Sequence, residues 1–294
     1  MNEKILNQFQ HAIVTETNEK YENVLWLEDE TKQPIGFLKD QLTDNEQLLL
    51  TMLFNPIDST PKPVSIHEEN WSSFLLNDGS QPREPKVIRM IHFTLDKRID
   101  DLDSFRDVWN TILDTPVIIV WTSATRGIII LDTEMEEELP DFISINQAIA
   151  SDFYVDMTLL VGSSHQVEKT KGRLNWELAC MNSLIKAKVI RRVFYEHEAI
   201  PYLLLESLTI ENREQFLSRL LDEDLRFDKD FIKSMTVYLE HNLNISQAAK
   251  ALHLHRNSLQ YRIDKFTERT NLDLRQFTHA SLLYLALLLL DTRS

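Results

Sequence analysis

The hydrophobic pattern of this chain changes once, near residue 205, and that change constrains the fold more than any other feature. Between about 86 and 205, short β-branched runs alternate with segments whose apolar residues recur at helical spacing. From Glu211 to the last residue, only helical periodicity is present. This order predicts an α+β multidomain protein in which a domain with a mixed sheet precedes an all-α domain.

The region 86–205 is predicted to follow the order β-α-β-β-α-β-α-β, with helices packed on the sheet. Its second and third strands are joined by residues 122–127, Thr-Ser-Ala-Thr-Arg-Gly, which are typical of a hairpin turn. The predicted strands are Val87–Leu95, Val117–Trp121, Ile128–Leu131, Met157–Val161 and Val193–Tyr195, and the predicted helices are Asp101–Leu113, residues 141–151 and Leu174–Lys188.

A small N-terminal domain with a proline-rich linker is predicted over residues 1–80. Five of the nine prolines lie between Pro56 and Pro85. Because proline and the polar residues around it interrupt regular structure, we expect linkers at about 55–65 and 77–86, with a short helix near 68–76 between them.

Two local patterns precede these linkers. Asn23–Leu27 and Ile35–Leu38 are predicted to pair as a hairpin across a polar turn. A helix is predicted to begin at Thr43, because Glu46, three residues later, completes a capping box.

Composition restricts the classes of function. With 294 residues, the chain is long enough for two domains or three small ones. Five glycines are few for a fold built around glycine-rich phosphate loops. A single cysteine, Cys180, excludes an intramolecular disulfide framework and a four-cysteine zinc site, and it fits a reducing cytoplasm. No export signal is evident, and the apolar run Leu282–Leu290 is much shorter than the roughly 20 residues of a membrane span.

Charge is distributed unevenly along the chain. The formal net charge is -15, yet residues 225–294 carry 10 Lys or Arg against 7 Asp or Glu. The remaining 224 residues therefore hold the whole acidic excess. The net charge therefore does not by itself argue against nucleic acid as a partner, because a mildly basic C-terminal region is joined to an acidic body.

The segment 244–266 has the pattern of a helix-turn-helix. Ser246 is a good N-cap for a short helix ending near Leu252, and the small Ala248 and Ala249 allow another helix to cross closely. His253-Leu254-His255 forms the connection, with Leu254 expected to pack between the two helices. The second helix presents one buried stripe, made of Leu259, Ile263 and Phe266.

The opposite face of the second helix carries the residue types that DNA recognition uses. Arginine reads guanine, asparagine and glutamine read adenine, and serine, tyrosine and lysine hold phosphates. A helical hairpin with a solvated polar face is the alternative that this pattern leaves open. The candidate DNA-binding residues are Ser246, His255, Arg256, Asn257, Ser258, Gln260, Tyr261, Arg262 and Lys265.

This segment resembles the C-terminal helix-turn-helix of the PucR/CdaR family, bacterial regulators of purine and sugar-diacid use. The resemblance is carried by Ser-Gln-Ala-Ala-Lys-Ala-Leu at 246–252 and His-Arg-Asn-Ser-Leu-Gln-Tyr-Arg-Ile at 255–263, with supporting matches at 235–242 and 270–274. Ser258 in place of threonine and Ile263 in place of leucine are mild departures. The resemblance implies a cytoplasmic transcriptional regulator that binds double-stranded operator DNA as a homodimer, with residues 256–266 in the major groove, and that responds to a small-molecule effector.

The region 86–205 is similar to the degenerate GGDEF-like domain that such regulators often carry. The hairpin at 122–127 lacks the acidic pair that would hold Mg²⁺ against a triphosphate, so no cyclase activity, cofactor or metal is expected. Asp96 and Asp100 are interpreted as turn residues or helix caps, and His253 and His255 as capping or phosphate-contacting residues.

Two other classes of function compete with DNA binding. One is a nucleotide-sensing signalling protein whose C-terminal helices bind a protein partner, and it stays open as the alternative. The other is an enzyme, for which the sequence offers no catalytic triad, metal-ligand set or phosphate loop.

Overall fold

The fold is taken from a computed structural model, which describes residues 8–14, 24–28, 34–56, 60–133, 139–189 and 191–291. The chain divides into two compact units. The sheet unit comprises Met1–Glu177 with Arg191–Tyr195, and the helical unit comprises Leu178–Ile190 with Glu196–Ser294. The finer division into 1–80, 86–205 and 225–294 stays a prediction.

A small three-stranded sheet opens the sheet unit. Strand β1 (Val24–Glu28) pairs antiparallel with β2 (Pro34–Leu38), which confirms the predicted hairpin, although its turn lies outside the described residues. Strand β3 (Asn55–Pro56) pairs with the other edge of β1, at a position predicted to be linker. The linker prediction is wrong at these two residues, because proline is tolerated at a strand edge where its missing N–H is not needed.

Helix α1 (Asp44–Leu53) follows β2 and begins as predicted. The Thr43 hydroxyl accepts from the backbone N–H of Glu46, and the Glu46 carboxylate accepts from the backbone N–H of Thr43. Both arms of the capping box are therefore present, and they satisfy two N–H groups that a helix start leaves open.

The main sheet of the unit has six strands in the order β5-β6-β4-β7-β9, with β8 pairing β4. The central strand β4 is antiparallel to both β6 and β7, and β9 is parallel to β7. The predicted mixed sheet is confirmed, whereas its likeness to a GGDEF domain stays a prediction. The elements are α2 (Ile66–Leu76), β4 (Val87–Leu95), α3 (Leu102–Leu113), β5 (Ile118–Trp121), β6 (Arg126–Asp132), α4 (Phe142–Phe153), β7 (Met157–Val161), β8 (His165–Gln166) and β9 (Val193–Tyr195).

Aromatic side chains build the core on one face of this sheet. The Phe93 ring of β4 lies 5.6 Å from Phe105 of α3 and 5.0 Å from Trp121 of β5. Gly127 of β6 lies directly opposite Phe93, where a Cβ would be 2.5 Å from the Phe93 ring. The end of the predicted hairpin turn therefore needs a glycine to admit this ring.

Helix α2 covers the edge strand β5. The buried Glu68 accepts from the backbone N–H of Ile119 at 3.2 Å and from the Arg106 guanidinium at 2.7 Å. Because the Glu68 carboxylate accepts from the N–H of Ile119, that N–H group of the edge strand is not available to a strand of another chain. The short helix predicted between two linkers is thus an integral part of the sheet unit.

The helical unit is made of helices that pack on one hydrophobic core, which includes Leu217, Met235, Leu259, Phe266 and Leu283. Among the described residues, no helix combines the length and apolarity needed to cross a membrane. Helix α5 (Thr170–Ala187) belongs to the sheet unit up to Glu177 and to the helical unit from Leu178. The others are α6 (Glu196–Glu206), α7 (Ile210–Leu220), α8 (Glu223–Phe227), α9 (Lys229–Glu240), α10 (Ile245–Ala251), α11 (Arg256–Thr270) and α12 (Phe277–Asp291).

Candidate nucleic-acid interface

Helices α10 and α11 form the predicted helix-turn-helix, but α10 is capped by a different residue than expected. The Asn244 side chain accepts from the backbone N–H groups of Ser246 and Gln247, both at 3.1 Å. The prediction of Ser246 as the N-cap is therefore wrong. Leu243 before it has a left-handed φ of 61°, and the chain becomes extended at Asn244, as an N-cap requires. Ser246 lies exposed in the first turn.

The turn between the two helices is closed by backbone hydrogen bonds. The N–H of Leu254 donates to the carbonyl of Ala249 at 2.9 Å, and the N–H of His253 donates to that of Lys250 at 3.1 Å. This pair of bonds is a Schellman motif, whose left-handed position is usually glycine. Here it is His253, with φ of 55°. The turn packs against the hydrophobic core through Leu252, whereas the prediction assigned that role to Leu254, which is half-buried.

Helix α11 is held by its predicted stripe. Leu259, Ile263 and Phe266 are all buried, and the Phe266 ring stacks on Phe231 of α9 with 5.6 Å between centroids. Ala248 and Ala249 of α10 are buried as well, which confirms the close helix crossing. Packing of this stripe fixes the orientation of α11, so the opposite face of the helix points away from the core.

His255 caps the start of α11, in line with one of its two predicted roles. Its Nδ1 accepts from the backbone N–H of Asn257 at 3.2 Å. Backbone N–H groups at a helix start remain available to an external anion when the cap satisfies only some of them.

Five of the predicted DNA-binding residues are exposed on the first turns of α11. Tyr261 stands out, since an aromatic side chain with 67% of its surface exposed contributes little to a core. Gln247 and Lys250 of α10 are exposed too, although neither belongs to the predicted DNA-binding set. Their position opposite the buried alanine pair is the sequence signal that indicates an exposed face. The exposed predicted residues on α11 are Arg256, Asn257, Ser258, Tyr261 and Lys265.

Two predicted contacts are engaged within the protein. Arg262 donates through Nη1 to the carbonyl of Asp230 at 3.0 Å and to the hydroxyl of the buried Ser234. Gln260 donates to Asp264 at 2.7 Å. Arg262 therefore fastens α11 to α9, and the sequence does not reveal this because Asp230 and Ser234 are about 30 residues away.

A groove of about 560 Å³ runs beside α11. Asn257, Ser258 and Lys265 form part of one wall, and Asp228 and Asp230 lie on the other. Lysine and aspartate side chains thus line the same groove, and the carboxylates lower its positive potential.

Arg269, further along α11, is an ion-pair partner of Asp222 at 2.5 Å and Asp224 at 3.2 Å. A hydrogen bond from the backbone N–H of Leu225, and then the contact with Arg269, lowers the pKa of Asp222. The hydrogen bond to Asp222 raises the pKa of Arg269. The positive charge that faces outward on the helix-turn-helix is consequently that of Lys250, Arg256 and Lys265.

Two acidic residues after β4 accept hydrogen bonds from backbone N–H groups. Asp96 accepts from the backbone N–H of Asp156 at 2.8 Å, and Asp101 caps α3 by accepting from Ser104 at 3.0 Å. Across the described ranges, no group of three His, Cys, Asp or Glu side chains is arranged to hold a metal ion. Asp96 lies in a bend after β4, and its carboxylate joins that bend to residue 156.

Comparisons with known proteins point to one family. Residues 231–289 match the PucR C-terminal helix-turn-helix domain. The uncharacterized protein YxkF of Bacillus subtilis (strain 168) is 30% identical over 284 residues, 93% of each chain. The proline-responsive transcriptional activator PutR of the same organism is 36% identical over 88 residues, 30% of this chain and 21% of that one. The carbohydrate diacid regulator of Escherichia coli (strain K12) is 34% identical over 105 residues, 35% of this chain and 27% of that one.

Proposed function

The chain belongs to the PucR/CdaR-type family of transcriptional regulators, and on this premise we propose that it binds operator DNA by placing α11 in the major groove. The observation that carries the proposal is the division of α11 into two faces. Its buried stripe fixes the helix on the core, while Arg256, Asn257 and Tyr261 are exposed at its N-terminal end. That end enters the groove in helix-turn-helix proteins.

Each exposed side chain has a distinct chemical role in this proposal. The fork of Arg256 reads a guanine, and the amide of Asn257 reads an adenine, because each can make two parallel hydrogen bonds to its base. Ser258, Tyr261 and Lys265 hold the sugar-phosphate backbone, which positions the helix without reading sequence. His255 orders the helix start, where free N–H groups face a phosphate.

The remaining parts of the proposal concern assembly and control. Two copies bind two half-sites, because helix-turn-helix dimers read operators whose symmetry matches their own. The sheet unit, which carries most of the acidic residues, responds to a small-molecule effector in the cytoplasm. A sheet unit that binds a nucleotide while the helical unit retains no DNA would instead support the signalling-protein alternative.

The test begins with duplexes that wild-type protein selects from a random library. Arg256→Ala and Asn257→Ala should each weaken binding to the selected duplex by about 1–3 kcal/mol and relax the preference at one base position. Arg219→Ala removes the same charge from an exposed position on α7 and serves as the control. Binding by Arg256→Ala that matches Arg219→Ala in affinity and in sequence preference would refute this use of α11.

A further inference from the structure

Helix α12 is apolar on more than the face that the core uses. From Gln276 to Leu290 the sequence contains no Asp, Glu, Lys or Arg. One face packs into the helical unit through Ala280, Leu283 and Ala286, all buried. A helix that is apolar on all sides is normally enclosed on all sides. With 15 residues it spans about 22 Å, too short for the roughly 30 Å core of a bilayer.

The second face of α12 has the spacing of a helix-packing seam. It consists of Phe277, Ser281, Tyr284 and Leu288, at intervals of four, three and four residues. Phe277 is 83% exposed and Tyr284 is 40% exposed, while Ser281 and Leu288 are half-buried. A repeat of 3.5 residues keeps one stripe facing a partner helix.

We propose that this α12 seam, Phe277, Ser281, Tyr284 and Leu288, is where two copies of the chain meet. In a two-fold dimer the same patch lies on both subunits, so a charged side chain close to the two-fold axis lies near its own copy. This matters for a chain with a formal charge of -15, since like charges brought together cost several kcal/mol. A seam without charged side chains avoids that repulsion and gains from apolar burial.

The inference rests on the proposed dimeric binding to two half-sites. Helices α11 and α12 share one hydrophobic core, which contains Leu259 of the first and Leu283 of the second. Pairing two copies of α12 therefore couples two recognition helices at a fixed separation, which sets the spacing of the half-sites.

An antiparallel pairing gives the seam a self-complementary register. With the two-fold axis at Leu282–Leu283, Phe277 packs against Leu288 of the partner subunit, and Ser281 packs against the partner's Tyr284. The small Ser281 side chain thus lies opposite the Tyr284 ring near the axis, and at each end of the seam the bulky Phe277 and Leu288 side chains pack together. Interdigitation of this kind lets the helix axes approach to the 8–10 Å typical of packed helices.

Sedimentation velocity on the full chain tests the surface, with Phe277→Glu as the variant. Phe227→Glu is a matched control, because Phe227 ends α8 with 81% exposure in the same unit. Wild type and Phe227→Glu should be dimers, and Phe277→Glu should raise the dimer dissociation constant by about a hundredfold or more. Far-UV circular dichroism spectra of the three folded proteins should agree, since both positions are exposed. The melting temperature of Phe277→Glu should fall, because dissociation removes the stabilisation that the dimer provides.

Two results would overturn the proposal. One is a wild-type protein that is monomeric at every concentration, which would mean that another partner covers the seam. The other is a Phe277→Glu dimer as tight as that of Phe227→Glu.

The register is tested separately: Phe277→Cys with Leu288→Cys should form an intersubunit disulfide on oxidation, and Phe277→Cys alone should not. Crosslinking by the single variant indicates a parallel pairing, which contradicts the register. The native Cys180 is buried.

Fluorescence anisotropy with selected DNA separates this inference from the proposed function. Phe277→Glu should bind a duplex with one half-site as wild type does, but lose the added affinity for a duplex with two. If wild type dimerises and binds neither duplex, the proposed function is wrong and dimerisation through the α12 seam is still supported. If wild type and Phe277→Glu bind the duplex with two half-sites equally well, dimerisation through the α12 seam is wrong and the proposed use of α11 is still supported.

Discussion

Arg256 and Arg262 occupy the same helix but have different surroundings. Arg256 is exposed at the first position of α11, whereas Arg262 donates to the Asp230 carbonyl and to Ser234 of α9. A guanidinium that already bonds two protein groups gains less from a phosphate, because those bonds must be given up first. The side chain type alone therefore does not identify a DNA contact.

Arg262→Ala should lower the free energy of unfolding of the helical unit by about 1–2 kcal/mol, because charge-assisted hydrogen bonds to α9 are lost. Lys265→Ala should leave the free energy of unfolding within about 0.5 kcal/mol of wild type. It should also reduce the slope of the logarithm of the DNA association constant against the logarithm of salt by about one unit. Urea titrations and DNA titrations on both variants measure these effects. An Arg262→Ala protein of unchanged stability with a flattened salt dependence would reverse the two assignments.

At the scale of elements, the helix-turn-helix depends on how its short helices begin and end. His253 takes the left-handed position of the Schellman motif, a conformation that costs a residue with a Cβ about 1–2 kcal/mol. His253→Gly should therefore raise the free energy of unfolding by about 0.5–1 kcal/mol, after the greater entropy of glycine in the unfolded chain is subtracted. Lys250→Gly, in the last turn of α10 where φ is right-handed, should lower it by up to about 1 kcal/mol. Urea titrations in which His253→Gly is as destabilising as Lys250→Gly would contradict this account of the turn.

Asp222 makes the contact between α8 and α11 dependent on pH. Its pKa in the folded protein is lowered below the ordinary 3.8, first by the N–H of Leu225 and then by Arg269. The charged form is thus favoured by folding, and its contribution to stability is fully present above pH 3.8 and is lost as pH falls through the folded value.

Asp222→Asn should consequently be less stable than wild type at neutral pH and equal to it in strong acid, where both side chains are neutral. Thermal melts between pH 2 and 7 measure the difference, with Glu223→Gln as a control for one charge removed from the same turn. A constant difference between Asp222→Asn and wild type at all pH values would show that the carboxylate charge is not responsible.

At the scale of the whole molecule, an acidic protein must bind an acidic polymer. The repulsion between the -15 chain and DNA acts over a distance limited by salt, about 8 Å under physiological conditions, whereas the proposed contacts at α10 and α11 act at short range. Local positive charge therefore decides binding, and the average charge mainly slows association at low salt.

The number of outward lysines gives a quantitative expectation. If Lys250 and Lys265 each neutralise one phosphate, the logarithm of the association constant should fall with the logarithm of salt at a slope of about -2 per bound subunit. Equilibrium titrations of the full chain over a range of salt concentrations measure it. A flat dependence would remove the DNA-binding proposal, and a much steeper one would show that cations outside the helix-turn-helix contribute.

Features that depend only on neighbouring residues along the chain could be predicted from the sequence. The periodicity of Leu259, Ile263 and Phe266 predicted the buried face of α11, and the Thr43 and Glu46 pair predicted the start of α1. The order of strands and helices in the mixed sheet followed in the same way. Periodicity and caps are local, so a single chain displays them without its partners.

Contacts between residues far apart in the chain largely determine which polar side chains remain available to a partner. The contact of Arg262 with Asp230, the pairing of β3 with β1 and the carboxylate of Glu68 on the N–H of Ile119 each join residues 27 to 51 positions apart. Similar local patterns are compatible with many such pairings, and the free energy of the whole packed unit selects one. Five of the predicted DNA contacts on α11 are exposed, whereas Arg262 is engaged because α9 packs beside one side of α11. Gln260 is the exception, since its partner Asp264 is only four residues away on the same helix.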